Sequence, residues 1–248
     1  MTLEQFFAEN REVAIAFSGG VDSAYLLYAA TRYAARVKAY YVSTAFQPAF
    51  ELEDARRLAD ELGADMLVLH VDVLSNSAVT ANPSDRCYHC KNTLFRQILR
   101  AAENDGFPVL LDGTNASDDA GDRPGMRALR ELSVRSPLRE CGLTKAEIRR
   151  LSREAGLFTW DKPAYACLAT RIRTGEEITL QKLKQTEKAE GFLFELGFRD
   201  FRVRMVGNTA KLELREADLP LLLENREKIV TELRKDYDSV LLNLEARK

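Results

Sequence analysis

Short apolar runs alternate with longer amphipathic segments through the first two-thirds of the chain. Four runs of three to six mostly apolar residues predict buried strands: 13–17, 37–42, 66–71 and 109–111. Between them, apolar residues recur at helical spacing, which predicts helices over 23–35, 51–62 and 88–104. Strands that alternate with helices indicate an α/β fold with a doubly wound parallel sheet, which binds ligands beyond the carboxyl ends of its strands.

The hydrophobic pattern changes at about residue 176. It then predicts a helix over 179–196 and strands over 201–206, 210–214 and 239–244. The dipeptide Gly207-Asn208, between two of these strands, is a hairpin signal. We therefore predict two domains: an α/β domain over residues 1–175, and a small α+β domain over 176–248 for substrate binding or oligomerisation.

Two predicted loops carry candidate chemistry. A polar loop over 75–86 ends at the first cysteine of the chain, and a loop over 160–175 contains Cys167. Before the second loop, Thr144 and Glu147 form a capping-box pattern, which predicts the start of a helix there.

Composition and charge limit the classes of protein to which this sequence can belong. The chain has 248 residues, 46% of them hydrophobic, and a formal net charge of −2, so it can bury a core without disulfides. No block of Lys and Arg favours a nucleic-acid or membrane partner. Residues 1–7 lack a basic region and a long apolar run, so we expect a cytoplasmic protein with four reduced cysteines.

A glycine-rich hexapeptide, Ser18-Gly-Gly-Val-Asp-Ser23, lies between the first predicted strand and the first predicted helix. Gly19 and Gly20 let backbone N–H groups approach phosphate oxygens, and the helix N-terminus adds its positive dipole end. Ser18 and Ser23 can donate hydroxyl hydrogen bonds, while Asp22 needs a cation such as Mg²⁺ between itself and phosphate. The Gly-Lys-[Ser/Thr] of kinases and GTPases is missing. The alternative is a Gly-Gly turn capped by serine.

Three cysteines form a second candidate centre. Cys87 and Cys90 are a C-x-x-C pair at the start of a predicted helix, and Cys167 supplies a third thiol. The pair alone fits a zinc knuckle, a redox pair or an iron–sulfur site. Zinc needs a fourth ligand, for which Cys141 and His89 are weak candidates. Three thiolates suit a [4Fe–4S] cluster with one iron open for sulfide; three unrelated buried cysteines are the alternative.

Polar residues on two further segments are candidate ligand contacts. Asp112, Gly113 and Asn115 follow the fourth predicted strand, where they can contact an adenylate or Mg²⁺; an Asx-turn is the alternative. Arg202 and Arg204 alternate on a strand and so share a face, which fits an anion clamp; a solvated edge strand is the alternative. Further candidates for binding carboxylate or phosphate, each with a structural salt bridge as the alternative, are Arg123, Arg127 and Arg171.

The hexapeptide resembles the pyrophosphatase loop of the PP-loop superfamily, which includes NAD and GMP synthetases, argininosuccinate and asparagine synthetases, and tRNA-thiolating enzymes. The whole chain resembles the LarE family, ATP-dependent sulfur transferases of nickel-pincer nucleotide synthesis. Five segments carry this resemblance: Ser18–Ser23, Asp112-Gly-Thr-Asn115-x-x-Asp118, Asp122-x-Arg-Pro-Gly125, Pro163–Arg171 and Phe201-Arg-Val-Arg204. One departure is Met205, where family members often have histidine.

The resemblance implies an adenine nucleotide α-hydrolase-like fold and a set of site residues. Cys167 matches the family's sulfur-handling cysteine, and Cys87 with Cys90 matches the branch that holds a [4Fe–4S] cluster with it. The implied catalytic residues are Cys167, Asp22, Arg202 and Arg204. The implied nucleotide-binding residues are Ser18, Gly19, Gly20, Asp22, Ser23, Asp112, Gly113, Asn115, Arg123 and Arg171.

The resemblance also implies a function: ATP and Mg²⁺ adenylate a carboxylate of a pyridinium dicarboxylate mononucleotide, pyrophosphate leaves, and sulfide supplies the sulfur in a homo-oligomeric enzyme. Two alternatives on the same scaffold are an NAD-synthetase-like amide ligase and a tRNA thiolase. The sequence shows no glutaminase domain for the ligase and no added RNA-binding domain for the thiolase. A nucleotide-binding regulator with structural zinc is the non-enzymatic alternative.

Overall fold

The computed structural model describes residues 1–118 and 124–247. Its strands are β1 (Glu12–Phe17), β2 (Arg36–Ser43), β3 (Met66–His70), β4 (Val109–Leu111), β5 (Arg202–Val206), β6 (Thr209–Glu213) and β7 (Ser239–Leu242). Its helices are α1 (Leu3–Glu9), α2 (Val21–Tyr33), α3 (Ala49–Leu62), α4 (Ser77–Thr80), α5 (Arg86–Asn104), α6 (Pro124–Glu131), α7 (Pro137–Glu140), α8 (Lys145–Glu154), α9 (Leu180–Glu195), α10 (Leu219–Glu224) and α11 (Arg226–Leu233). None of these helices is long and apolar enough to span a bilayer.

The chain divides into two compact units. The first unit consists of Met1–Val73 and Asp85–Ala164, and the second of Leu74–Ser84 and Tyr165–Lys248. These units differ from the predicted domains because residues 74–84 and 165–175 pack with the second unit. The assignment of nucleotide chemistry to residues 1–175 and of a substrate or oligomerisation role to the remainder stays a prediction.

The first unit is built on a parallel sheet in the order β3-β2-β1-β4. Val13 of β1 pairs with Val37 of β2 on one side and with Val109 of β4 on the other. The strand order therefore reverses between β1 and β4, and the loops after Phe17 and Leu111 leave the same edge side by side. This is where open α/β sheets bind ligands. The predicted α/β fold with a parallel sheet is confirmed.

The central strand is buried on both faces, as its uninterrupted apolar run predicts. Ile15 belongs to the same core cluster as Phe6 of α1 and Leu27 of α2. Ala14, its neighbour on the opposite face, packs in a second cluster with Ile98 of α5. The sheet thus has helices on both faces, and its polar ligand-binding edge is carried by loops.

The second unit contains a three-stranded sheet in the order β5-β6-β7. β5 and β6 are antiparallel and are joined at Gly207, whose φ of +58° suits the predicted hairpin turn. β7 pairs with β6 in parallel. Leu193 of α9, Phe198, Phe201 and Val203 of β5 are buried, so this unit has a hydrophobic core of its own.

Part of the predicted polar loop over 75–86 is helical, because α4 lies within it. The order of this segment depends on Asn82, which is fully buried and has a φ of +53°. Its Nδ2 donates to the carbonyl of Arg173 at 2.8 Å, and its carbonyl accepts from the N–H of Gly175 at 2.8 Å. A polar segment is thus ordered by tertiary hydrogen bonds that local sequence does not reveal.

Candidate functional site

The phosphate loop wraps the N-terminus of α2 and is held by its own hydroxyls. Gly19 has a φ of +70°, and a Cβ atom there would lie 3.3 Å from Cβ of Ala55, so the turn requires glycine. Ser23 is buried; its Oγ accepts from the Ser18 N–H at 3.2 Å and donates to the Gly20 carbonyl at 3.2 Å. Ser23 therefore shapes the loop from inside, whereas Ser18 is exposed towards a ligand.

The loop after β4 packs directly against this phosphate loop. A Cβ atom on Gly113 would lie 2.9 Å from the backbone nitrogen of Ser23, so only glycine permits this approach. Asp112 is buried and accepts from the Thr114 N–H at 3.3 Å, the Thr114 hydroxyl at 2.5 Å and the Ser136 hydroxyl at 2.6 Å. Its carboxylate forms the Asx-turn that was the alternative to ligand binding. A contact between Asp112 and nucleotide stays a prediction.

Asn115 and Lys145 converge on Asp22 of the phosphate loop. Nδ2 of Asn115 donates to Oδ1 of Asp22 at 3.3 Å, and Nζ of Lys145 lies 2.5 Å from Oδ2. Burial raises the pKa of Asp22, and the hydrogen bond and positive charge of Lys145 oppose that rise without cancelling it. The cluster joins a carboxylate, an amide and an ammonium at a helix N-terminus. The helix end favours the phosphate groups of a nucleotide, and the carboxylate is a ligand type that Mg²⁺ prefers.

Lys145 is a site residue that the sequence analysis missed. It is the first residue of α8, after the predicted capping box, in which Thr144 and Glu147 exchange hydrogen bonds as expected. A lysine in the first turn opposes the positive end of the helix dipole. That unfavourable position is a signal in the sequence, and the proximity of Asp22 accounts for it.

The C-x-x-C pair lies in the first two turns of α5. Cys87 is exposed and Cys90 half-buried, and a spacing of three places both on one helix face. Nη2 of Arg86 lies 4.0 Å from Sγ of Cys87, so a positive charge adjoins this thiol. His89 contacts Asp85 at 3.4 Å.

The remaining cysteine of this unit, Cys141, has a different environment. It follows α7 and packs against the main core cluster, and burial raises the pKa of its thiol. All four cysteines are within the described residues, and none is in a disulfide. Within residues 1–118 and 124–247 no group of three His, Cys, Asp or Glu is arranged around a metal position. Cys167 belongs to the second unit, so its convergence with the C-x-x-C pair stays a prediction.

A cavity of about 350 Å³ in the first unit lies between the loop after β4 and the start of α5. Its lining is Cys87, Lys91, Thr114, Asp118 and residues 124–126. Gly125 is close to Lys91, because a Cβ atom there would lie 3.2 Å from Cδ of the lysine. The predicted ligand Arg123 lies outside the described residues. Arg127, another candidate, stacks over the ring of Tyr88 at 4.0 Å.

The predicted arginines of the second unit have distinct environments. Arg171 is 1% exposed, and burial alone would lower the pKa of its guanidinium. The hydrogen bond and negative charge of Glu190 outweigh that effect, so the pKa of Arg171 is raised. Arg204 pairs with Glu213 at 2.7 Å. Arg202 is 5% exposed and lies 3.9 Å from Asp200.

Charge balance separates Arg202 from the other two arginines. Burial, followed by the nearby positive charges of Arg171 and Arg247, lowers the pKa of Arg202. Arg202 is thus not on a solvated strand, and an anionic ligand would relieve the excess positive charge around it. Anion binding by these arginines stays a prediction.

Comparison with known proteins identifies the family. The asparagine synthase family model matches residues 4–118. An uncharacterized protein of Synechocystis, slr1717, is 40% identical over 86% of this chain and 80% of its own length. The pyridinium-3,5-bisthiocarboxylic acid mononucleotide synthase of Lactiplantibacillus plantarum is 34% identical over 87% of this chain and 79% of its own length. A tRNA-specific 2-thiouridylase of Thermotoga petrophila is 26% identical over 59% of this chain and 52% of its own length.

These likenesses agree with the geometry of the first unit. The asparagine synthase match covers β1, the phosphate loop and the loop after β4, which lie where the strand order of the sheet reverses. The similarity to the Lactiplantibacillus synthase extends through most of both chains. The chain therefore belongs to the LarE family of PP-loop, ATP-dependent sulfur transferases.

Proposed function

We propose that this chain adenylates a carboxylate of a pyridinium mononucleotide and replaces the activated oxygen with sulfur, as a step in the synthesis of a nickel-pincer cofactor. The observation that carries the proposal is the convergence of Asp22, Asn115 and Lys145 at the N-terminus of α2. This cluster lies at the edge where the strand order reverses. The name of the Lactiplantibacillus relative supplies the substrate class.

The two steps conserve atoms and charge. A carboxylate oxygen of the substrate attacks the α-phosphorus of ATP, the bond to the β-phosphate breaks, and pyrophosphate leaves. A hydrosulfide then attacks the acyl carbon, the bond to AMP breaks, and a thiocarboxylate forms while the sulfur proton passes to solvent. No electrons are exchanged with an external oxidant or reductant.

The residues of the first unit suit the first step. The N–H groups after Gly19 and the ammonium of Lys145 provide positive charge where pyrophosphate accumulates negative charge. Asp22 fits Mg²⁺, because carboxylate oxygens are ligands that this ion prefers and Asn115 holds one of them in place. The ammonium of Lys145, which is bonded to the other oxygen, would turn to phosphate when the ion binds. Mg²⁺ would neutralise phosphate charge there. Ser18, on the exposed side of the loop, can donate a further hydrogen bond.

The cavity beside the C-x-x-C pair suits the acceptor. It is lined by Thr114 and Asp118 from the loop after β4 and by Lys91 and Cys87 from α5. We place the pyridinium ring and its carboxylates there, with the ammonium of Lys91 paired to one carboxylate. The volume of about 350 Å³ is at the lower end of those found for small-molecule sites.

We further propose that Cys87, Cys90 and Cys167 hold a [4Fe–4S] cluster. The first two fit because they share a helix face with one turn between them. When bound, such a cluster would supply an iron site able to carry sulfide. Cys167 would complete the set from the second unit. We also propose a cytoplasmic homo-oligomer.

Anaerobic incubation with ATP, Mg²⁺, sulfide and carboxylated pyridinium mononucleotides tests the function. We expect AMP, pyrophosphate and a product heavier by the mass difference between sulfur and oxygen, all in equal amounts. Parallel reactions replace sulfide with ammonium, or the pyridinium with tRNA. An amide product or a thiolated tRNA would establish one of the alternative transfers. ADP and orthophosphate as primary products would contradict adenylation itself.

A further inference from the structure

A buried ion pair lies beneath the turn that carries Cys167. Arg171 and Glu190 are each 1% exposed. Nε of Arg171 donates to Oε1 of Glu190 at 2.7 Å, and Nη2 donates to Oε2 at 2.9 Å. This bidentate geometry fixes the guanidinium plane relative to α9.

The remaining donors of Arg171 hold the chain on both sides of Cys167. Nη1 donates to the carbonyl of Ala166 at 3.0 Å and to Oγ1 of Thr170 at 2.7 Å. Thr170 closes the turn, because its N–H and its hydroxyl both donate to the carbonyl of Cys167, at 2.9 and 2.8 Å. One guanidinium therefore joins the residue before the thiol to the residue that ends its turn.

The carboxylate of Glu190 extends the same network to the sheet and to the start of the loop. It accepts from the N–H of Val203 in β5 at 2.8 Å and from the hydroxyl of Tyr165. Arg204 of the same strand donates to the carbonyl of Thr170 at 2.5 Å. The turn, a single 3₁₀ turn over Leu168–Arg171, is thus bonded to both a helix and a strand.

Stability alone does not explain this pair. Removing two charges from water costs several kcal/mol per ion, and well-packed apolar residues of similar volume often serve stability equally well. What the charged pair supplies, and apolar residues lack, is a set of directional bonds with fixed lengths. Apart from the bond between Glu190 and the N–H of Val203, these bonds end on the segment 165–171.

We propose that Glu190 and Arg171 are positioning residues that fix the direction of the Cys167 thiol for sulfur transfer. This inference rests on the proposed sulfur-handling role of Cys167. It replaces the expectation that Arg171 binds nucleotide or substrate anions, since four N–H donors of its guanidinium are used within the fold.

Two substitutions separate positioning from anion binding. Glu190→Gln preserves shape but removes the charge that orients Arg171, and Arg171→Met removes the guanidinium. We expect both to lower thiocarboxylate formation by about tenfold to a hundredfold, because small displacements of a reacting group cost that much. The KM for the pyridinium substrate and the rate of pyrophosphate release in a single turnover should stay unchanged, because adenylation precedes the slowed step. An anion-binding Arg171 would instead give a raised KM in Arg171→Met and a normal turnover in Glu190→Gln.

A second readout does not depend on sulfur transfer. The rate at which iodoacetamide alkylates Cys167, followed by mass spectrometry of its peptide, should rise severalfold in both variants because the turn is released. Lys188→Met is the matched control: it removes an ion pair with Asp236 from the same helix but leaves the Cys167 turn intact. Wild-type alkylation rates in both variants would overturn the proposal. If the wild type makes no thiocarboxylate, the proposed function fails, while alkylation still tests positioning.

The double variant Arg171→Met, Glu190→Met guards against misfolding of the single variants, since it leaves no unpaired buried charge. We expect the double variant to fold. Its Cys167 should be alkylated as fast as in the single variants, and its rate of thiocarboxylate formation should be no lower than theirs. Strictly multiplicative losses in the double variant would show that the two residues act independently and would overturn the proposal.

Discussion

Nζ of Lys145 lies 2.5 Å from Oδ2 of Asp22, although 123 positions separate the two residues in the chain. Lys145 begins α8, Asp22 lies in the first turn of α2, and the pair stands at the reversal point of the sheet. The phosphate loop therefore has a cation beside its carboxylate before any nucleotide binds. The carboxylate of Asp22 and the ammonium of Lys145 are therefore both positioned before ATP and its metal ion bind.

Replacing Lys145 with Met should lower the rate of pyrophosphate release about a hundredfold, as for the loss of one preorganised donor to a developing anion. The fold should persist, since the pair is partly exposed. Lys38→Met is a suitable control, because it removes a lysine paired with Asp105 at 3.0 Å elsewhere in the same unit. Equal pyrophosphate release by the wild type and Lys145→Met would remove Lys145 from the site.

Replacing Asp22 with Asn should abolish Mg²⁺-dependent AMP formation while the thermal midpoint stays close to that of the wild type. Burial already disfavours the charged form of this carboxylate, so it contributes to chemistry more than to stability. Pyrophosphate release across a Mg²⁺ titration measures the effect. Asp236→Asn, which breaks a lysine pair in the second unit, should behave as wild type. Full activity of Asp22→Asn would contradict the proposed metal position.

Serine substitutions test the cluster. Cys87→Ser, Cys90→Ser and Cys167→Ser should each lower iron and acid-labile sulfide in anaerobically purified protein, and should stop sulfur transfer while pyrophosphate is still released in a single turnover. Cys141→Ser is the control, because Cys141 packs against the core. Iron content unaffected by Cys167→Ser, alongside its loss in the other two, would exclude a shared three-cysteine site.

The arginines of β5 should differ in their effects. Arg202→Met should raise the KM for the anionic substrate by about tenfold or more, because a charge-assisted hydrogen bond is lost. Arg204→Met should act on turnover instead, since Arg204 bonds the carbonyl of Thr170 in the Cys167 turn. Steady-state kinetics on the full chain measure both. Unchanged KM and turnover in both variants would assign the two residues a structural role alone.

One pH dependence follows from Asp105. Hydrogen bonds from Tyr40 at 2.6 Å and then from Lys38 lower the pKa of Asp105 below its ordinary value of 3.8. A lowered pKa stabilises the fold above pH 3.8, and this contribution disappears as the pH falls through the folded-state value. Asp105→Asn should therefore unfold at lower urea concentration than the wild type at pH 7, with a difference that shrinks between pH 5 and pH 3. Asp60→Asn, on exposed α3, should show no such trend; a constant difference for Asp105→Asn would refute the linkage.

The sequence predicts those features that local pattern controls. The strand Val109–Leu111 has the predicted bounds, and the capping box of Thr144 and Glu147 forms as predicted. Both depend on residues within a few positions of one another. The geometry of the phosphate loop is equally local, because Gly19 adopts a positive φ, which glycine permits.

Long-range charge pairing was beyond prediction from the sequence. The pairing of Arg171 with Glu190 and of Lys145 with Asp22 depends on where helices pack, and no spacing rule specifies it. The helix α4 was missed for the same reason, since bonds from Asn82 to residues 172–175 order its neighbourhood. The pattern of an arginine on a strand likewise could not distinguish Arg202 from Arg204.

The discontinuous second unit has a consequence for protein engineering. The carbonyls of Asn82 and Thr80 accept hydrogen bonds from the N–H groups of Gly175 and Ile178, so a fragment that begins at Tyr165 lacks acceptors for these groups. Cutting at the apparent boundary yields an incomplete fold. A recombinant version would need the eleven residues of Leu74–Ser84 joined to it by a designed linker, which amounts to replacing residues 85–164 with that linker.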